Sequence, residues 1–138
     1  MSIIGREQEL IRLAKEAKER AYAPYSRFHV GAVLLGKSGK TYQGCNVENS
    51  AYPSSICAEH AAIAVAVSSG EREFDAIAVA GPENVNLSLC GKCRQVLSEF
   101  SPSMTVLVAS QQGYRSYPLT SLLPDHFDGS CLVRDEEK

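Results

Sequence analysis

The sequence predicts an α/β fold, a three-layer α/β/α sandwich around a mixed five-stranded sheet. Three observations carry that expectation. The apolar segments follow one another as helix, two strands, helix, strand, helix and two strands, an order that gives a mixed sheet covered by helices on both faces. The first segment has the period of an amphipathic helix, whereas the strand segments are short runs rich in branched and aromatic residues bounded by turn formers. The chain has 138 residues, 44% of them hydrophobic, enough for a single domain over 1–138 whose core needs no disulfide staples.

Taken in order, Leu10, Leu13, Ala14, Ala17 and Ala21 fall on one helical face, with Arg12, Lys15, Glu16, Lys18 and Glu19 between them. A helix from about Arg6 to Ala21 follows, ended by Pro24. Phe28 to Leu35 and Thr41 to Asn46 flank the turn-like Lys37-Ser38-Gly39-Lys40 and predict a hairpin. A polar loop from Asn46 to Pro53 leads to Ser54-Ser55, an N-cap for a buried helix from about Ile56 to Ser69 that Gly70 stops. Asp75 to Ala80 is a strand, Cys90 to Phe100 a helix ended near Pro102, Thr105 to Ala109 a strand, Tyr114 to Tyr117 a further strand, and Leu119 to Leu123 a last helical turn.

Composition excludes several classes of function. Lys and Arg number 14 against 16 Asp and Glu, a formal charge of −2, and no basic cluster offers the electrostatic footprint of a nucleic-acid binder. The longest apolar run, Ala61 to Val67, is far short of the ~20 residues that span a bilayer. The N-terminal residues turn charged at once and lack a signal peptide's apolar core, so the expected location is the cytoplasm. In that reducing compartment five cysteines, an odd number, point to metal ligation or thiol chemistry before disulfides.

Cys57, Cys90 and Cys93 lie at the starts of two predicted helices, where unpaired N–H groups and the positive dipole end stabilise thiolates. Three thiolates make an open zinc site, with one of four tetrahedral positions left for water, as in catalytic centres. Glu59, two residues after Cys57, borders the open side as a proton shuttle. Alone, Cys90-Gly91-Lys92-Cys93 fits a redox pair or half of a structural zinc site, Cys57 with His60 mimics a thiol nucleophile and its base, and Glu59 fits a helix cap. Asn46 and Glu48 alone fit a turn residue and a solvated loop charge. Cys45 and Cys131 read as packed free thiols, Arg94 and Gln95 as structural hydrogen-bonders, and Tyr22 and Tyr25 as packing residues.

Cys57-Ala58-Glu59 followed by Cys90-Gly91-Lys92-Cys93-Arg94-Gln95 resembles the zinc-dependent cytidine deaminases. Ala23-Pro24-Tyr25-Ser26-Arg27-Phe28-His29-Val30-Gly31-Ala32, Gly44-Cys45-Asn46-Val47-Glu48-Asn49 and Leu122-Leu123-Pro124-Asp125-His126-Phe127 are similar to the homotetrameric small-subunit branch, so the resemblance covers nearly the whole chain. It implies one Zn²⁺ per subunit on Cys57, Cys90 and Cys93. It also implies that activated water attacks C4 of cytidine or deoxycytidine while Glu59 protonates N3 and then the leaving amine, yielding uridine or deoxyuridine and ammonia in pyrimidine salvage. By the same resemblance Asn46 and Glu48 bind the ribose 3′-hydroxyl, Phe28 packs on the pyrimidine, the backbone around Ala58 reads the base amide edge, and Phe127 and Tyr52 reach the pocket of a neighbouring subunit.

The pattern departs from the family twice. His60 stands where the three-cysteine branch has an Arg that hydrogen-bonds the thiolates, and if it faces the sulfurs, activity follows its own protonation. Leu89 stands where the family has Pro before the C-x-x-C pair, which relaxes the helix start. Deamination of a modified cytosine nucleoside or a blasticidin-like antibiotic is the alternative activity. A zinc-stabilised interaction domain without turnover is the non-enzymatic one.

Overall fold

A computed structural model of the chain describes residues 3–132. Along the sequence lie α1 (Glu7–Lys18), β1 (Gly31–Gly36), β2 (Thr41–Cys45), a 3-10 turn (Tyr52–Ser54), α2 (Ala58–Ser68), β3 (Phe74–Ala80), α3 (Gly91–Ser98), β4 (Thr105–Ser110), β5 (Gly113–Pro118), α4 (Leu119–Leu122) and a second 3-10 turn (Gly129–Cys131). The strands form one five-stranded sheet in the order β2-β1-β3-β4-β5. β3 and β4 are parallel and joined through α3, while the remaining pairs are antiparallel. The mixed sheet and its strand count match the expectation from the order of segments.

Alternation along the central strands decides which helix covers which face. Val33, Leu35, Ala76, Ala78, Ala80 and Leu107 point to one side, where Leu10, Ile11 and Ala14 of α1 bury against them. Ala32, Leu34, Ile77, Val79, Val106 and Val108 point to the other and pack against Ala58, Ala62, Ile63 and Ala66 of α2 and Leu97 of α3. The result is three layers with a separate core on each side of the sheet. No helix among the described residues is long and apolar enough to cross a membrane.

Two helix boundaries differ from the sequence expectation, each for a tertiary reason. α1 stops at Lys18 rather than Ala21 because the chain beyond it turns to pair with another loop: Tyr22 N–H donates to the Asn46 carbonyl at 3.0 Å, and Glu48 N–H donates to the Tyr22 carbonyl at 2.8 Å. α2 begins at Ala58 with Cys57 as its N-cap, not Ser54 or Ser55. Ser54 belongs to the 3-10 turn, and the Ser55 hydroxyl is used by Asn49 N–H at 3.0 Å. At the far end the expectation holds: Gly70 takes a φ of +96°, the left-handed geometry that terminates a helix most easily on glycine.

Glu71, just past α2, ties that helix to the β1–β2 hairpin. Its carboxylate accepts from Ser38 Oγ at 2.5 Å, Ser38 N–H at 3.2 Å and Tyr42 Oη at 2.9 Å. The Ser38 hydroxyl, followed by the other donors, holds its pKa below the ordinary 4.5. A depressed carboxyl contributes stability above its unfolded pKa and loses it as pH falls through the folded value. Glu71→Gln is therefore expected to melt below the wild type at neutral pH, with the gap closing as the pH drops below about 4. Thermal melts across that range check this, and a gap that is independent of pH contradicts it.

Candidate active site

The site is assembled where α2 and α3 begin. Cys57 and Cys90 are the N-cap residues of these helices, both in extended backbone conformation, with φ/ψ of −78°/156° and −71°/163°. Neither uses its side chain as a cap, so both sulfurs are free to turn toward one point. Cys93, in the first turn of α3, supplies the third. The three sulfurs lie within 4.8 Å of one another. Ligands about 2.3 Å from one tetrahedral zinc ion are about 3.8 Å apart, so a small inward adjustment brings all three onto a single ion.

The burial of the three is graded: Cys93 is buried, Cys57 half-buried and Cys90 exposed. The three sulfurs share protons unequally. The Cys93 thiol beside Cys57 stabilises the Cys57 thiolate and takes its pKa down to about 6, assisted by Cys90, Lys92 and His60. The neighbouring Cys57 sulfur, together with burial, holds Cys93 above the usual thiol range. A divalent cation replaces that retained proton, and the thiolate-rich donor set is the one zinc prefers.

Gly44 makes the close approach of α2 possible. A Cβ at this position in β2 would lie 2.4 Å from Ala62 N and 2.8 Å from the Ala58 carbonyl oxygen. The absent side chain, with the small Ala58 and Ala62 opposite, lets the first turns of α2 lie directly on the strand. Gly44→Ala is expected to cost about 1–3 kcal/mol through overpacking and to lower zinc content below one ion per chain by shifting Cys57. Chemical denaturation and elemental analysis check both; full zinc loading in a destabilised variant contradicts the coupling.

Beside the sulfurs opens a cavity of about 540 Å³, within the range of small-molecule sites. Cys57, Ala58, Glu59 and Cys90 line one side, and Phe28, Val30, Asn46, Glu48, Tyr52 and Ile56 line others. Glu59 is only 6% exposed. Burial, reinforced by the Cys57 thiolate, pushes its carboxyl up to about 7, so it can both hold and release a proton near neutral pH. Ala58 is buried at the first position of α2, where the helix leaves its opening N–H groups unpaired. His60 is half-buried, and its Nδ1 has no hydrogen-bond partner.

Asn46 and Glu48 have a second role that sequence reasoning missed: they shape the loop before β1. Asn46 Oδ1 accepts from Val30 N–H at 2.9 Å, and its Nδ2 donates to the Phe28 carbonyl at 2.7 Å. Glu48 accepts from the N–H groups of Tyr25 at 3.0 Å and Ser26 at 3.1 Å and from the Ser26 hydroxyl, which is the main reason its pKa is lowered. These bonds hold Arg27 at a φ of 59°, a left-handed conformation that costs a non-glycine residue about 1–2 kcal/mol. Phe28 then lines the cavity.

Tyr25, expected to be a packing residue, is exposed and lines the cavity, its ring 5.9 Å from that of Tyr52. Tyr22 is likewise exposed. Leu87 and Ser88, which carry no sequence signal, form part of the wall. Phe127 is exposed and lies outside its own chain's cavity, with its backbone splinted by Gln95: Nε2 donates to the Phe127 carbonyl at 2.7 Å and Oε1 accepts from Phe127 N–H at 3.3 Å. Cys45 is half-buried and Cys131 exposed rather than packed; neither joins the sulfur cluster. Leu89 is buried in the core on the α2–α3 side, an apolar anchor where the resembled family has Pro.

Residues 5–109 match the family model described as the cytidine and deoxycytidylate deaminase zinc-binding region. The chain belongs to this deaminase family. A protein of Sporosarcina psychrophila named cytidine deaminase is 46% identical over 127 residues, 91% of this chain and 93% of that protein. The crystal structure of cytidine deaminase from Burkholderia pseudomallei superposes with a TM-score of 0.81 at 45% identity, covering 86% of this chain and 97% of the other. That from Mycobacterium tuberculosis gives 0.75 at 40% identity, covering 86% and 94%. Among the described residues, the Cys57, Cys90 and Cys93 sulfurs are a cluster able to hold a metal ion, in keeping with the zinc-binding region that the family model describes.

Proposed function

We propose that the chain is a zinc-dependent cytidine deaminase that converts cytidine or deoxycytidine and water to uridine or deoxyuridine and ammonia. The observation that carries this reading is Glu59, buried beside three convergent sulfurs at the wall of a cavity of nucleoside size. Cys57, Cys90 and Cys93 would hold the zinc, which when bound keeps a position for water and lowers that water's pKa toward about 7.

The chain's own groups then do the rest. Glu59 takes a proton from the attacking water and gives it to ring N3 as hydroxide adds to C4, then takes the remaining proton of that new hydroxyl and gives it to the amine as the C–N bond breaks, the C4 carbonyl forms and ammonia leaves. Opening N–H groups of α2 at Ala58 meet the base's amide edge, and Phe28 packs on the ring. Asn46 and Glu48 meet the ribose with the capacity left after their loop bonds, since an amide has two N–H donors and a carboxylate about four lone-pair sites.

Sharing of sites within a homotetramer belongs to the same reading. Support comes from the exposed apolar side chains of Tyr52 and Ile56 in the cavity lining, from exposed Tyr22 and Val47 on the loops that bridge to Ile56, from Val65 exposed on α2, and from the splinted, exposed Phe127. Phe127 would complete the pocket of a neighbouring chain, whereas Tyr52, expected to do the same, lines the cavity of its own chain and would reach a neighbour's only from that cavity's edge. The setting proposed is cytoplasmic pyrimidine salvage, in keeping with five cysteines that are all unpaired.

Ammonia release from a panel of cytosine nucleosides, including C5- and N4-modified ones, tests the reading. Cytidine or deoxycytidine is expected to turn over best, and Glu59→Gln to lose about 10²–10⁴-fold in rate while keeping its zinc. Light scattering should give a tetramer. A zinc-loaded chain inert toward the whole panel, or a monomer with full activity, contradicts the respective part.

A further inference from the structure

The segment between β3 and α3 leads straight into Cys90 and contributes Leu87 and Ser88 to the cavity wall, yet over 86–90 it has no strand or helix to hold it. Two guanidinium groups do the holding. Arg94, on α3 next to Cys93, donates from Nη2 to Ser88 Oγ and from Nε to the Leu89 carbonyl, both at 2.9 Å, and from Nη1 to the Leu122 carbonyl at 2.8 Å. Arg115 comes from the opposite edge of the sheet, on β5. Its Nη2 donates to the Leu87 carbonyl, and its Nη1 donates to Tyr117 Oη at 3.0 Å.

The setting of Arg115 is unusual for a residue on an edge strand. It lies two residues from Tyr117, on the sheet face that carries α2 and α3, where Tyr117 and Leu87 both pack against the core. Its guanidinium carbon is 5.8 Å from the Tyr117 ring centre. Its Nε is buried without a partner, and among the described residues no carboxylate forms a salt bridge with it. A cation kept in such a place is directed at the one strong acceptor it meets, the loop carbonyl of Leu87. Gly81 leaves the space on the other side, since a Cβ there would sit 3.1 Å from Leu87 Cδ2.

We propose that Arg115 is a positioning residue that fixes the Leu87–Ser88 wall and so sets how tightly the cavity grips a nucleoside. It acts from the far edge of the sheet and touches neither the sulfurs nor Glu59. Its effect belongs to binding rather than to the chemical step, and the inference rests on the deaminase reading for the identity of the ligand.

Arg115→Met keeps the apolar stem and removes the donors. In the zinc-loaded protein it is expected to raise KM for cytidine and Kd for uridine, the latter read by calorimetry, about five- to tenfold, with kcat within about twofold and zinc content unchanged. Arg115→Lys, which still offers a cationic donor to the Leu87 carbonyl, should recover most of that loss. Wild-type KM and Kd in a folded Arg115→Met protein overturn the proposal, as does a joint fall of kcat and zinc content that Lys does not rescue. Should Arg115→Met not fold, Tyr117→Phe decides: it removes the hydroxyl that receives Nη1, and a KM rise of about two- to threefold supports the role whereas an unchanged KM overturns it. A wild type that binds no nucleoside and releases no ammonia overturns the deaminase reading and this inference with it; a normal wild type with an indifferent Arg115→Met overturns this inference alone.

Discussion

Everything at this site depends on two helices beginning at the same place. α2 and α3 come from different parts of the chain, and each would leave its opening N–H groups without partners. Packing both on one sheet face with their N-termini convergent puts Cys57, Cys90 and Cys93 within 4.8 Å of one another and aims the positive ends of both helices at the sulfurs. Clustered thiolates repel unless a cation or a proton sits among them, so the folded scaffold concentrates negative charge that a divalent ion relieves. The same burial that makes this costly gives Glu59 its raised pKa. Metal affinity and acid–base competence thus arise from one packing arrangement, and Gly44 is the residue whose small size allows it.

The layers and the sulfur trio were legible in the sequence because both rest on local signals. Short unbroken apolar runs such as Ala32–Leu35, Ala76–Ala80 and Val106–Val108, in their order between helical segments, announce a sheet covered on both faces, and Cys-Ala-Glu with a downstream C-x-x-C announces the metal chemistry. What stayed hidden depends on residues brought together by topology. The bonds of Glu48 to Tyr25 and Ser26 and of Asn46 to Phe28 and Val30 join residues far apart in sequence, and nothing in those residues specifies their partners. The early end of α1 has the same origin, since pairing of Tyr22 with the 46–48 loop outweighs the helical pattern that continues to Ala21. Leu87 and Arg115 carry no motif, and Tyr25, although inside the 23–32 motif, reads in the sequence as packing; their places appear only when the loops and the outer strand are set beside the cavity.

The cavity is built in two tiers. Its floor, at the start of α2, is rigid: Ala58 and Glu59 are buried and anchored by helix and sheet. Its walls are loops whose shape comes from side chains bonding to backbone, with Glu48 and Asn46 on one side and Arg94 and Arg115 on the other. Charged groups in those positions make stronger bonds to backbone than neutral ones do. The walls can therefore be set without regular secondary structure, and Asn46 and Glu48, which line the cavity, also maintain its shape. Leu89 fits this scheme as an apolar anchor beneath the wall.

X-ray absorption at the zinc edge of the purified, reduced protein tests the central claim most directly. Three sulfur neighbours at about 2.3 Å and one lighter atom at about 2.0 Å are expected, the lighter atom exchanging when a ligand fills the cavity. Four sulfur or nitrogen neighbours insensitive to ligand, or a protein that retains no zinc, contradict an open three-thiolate centre.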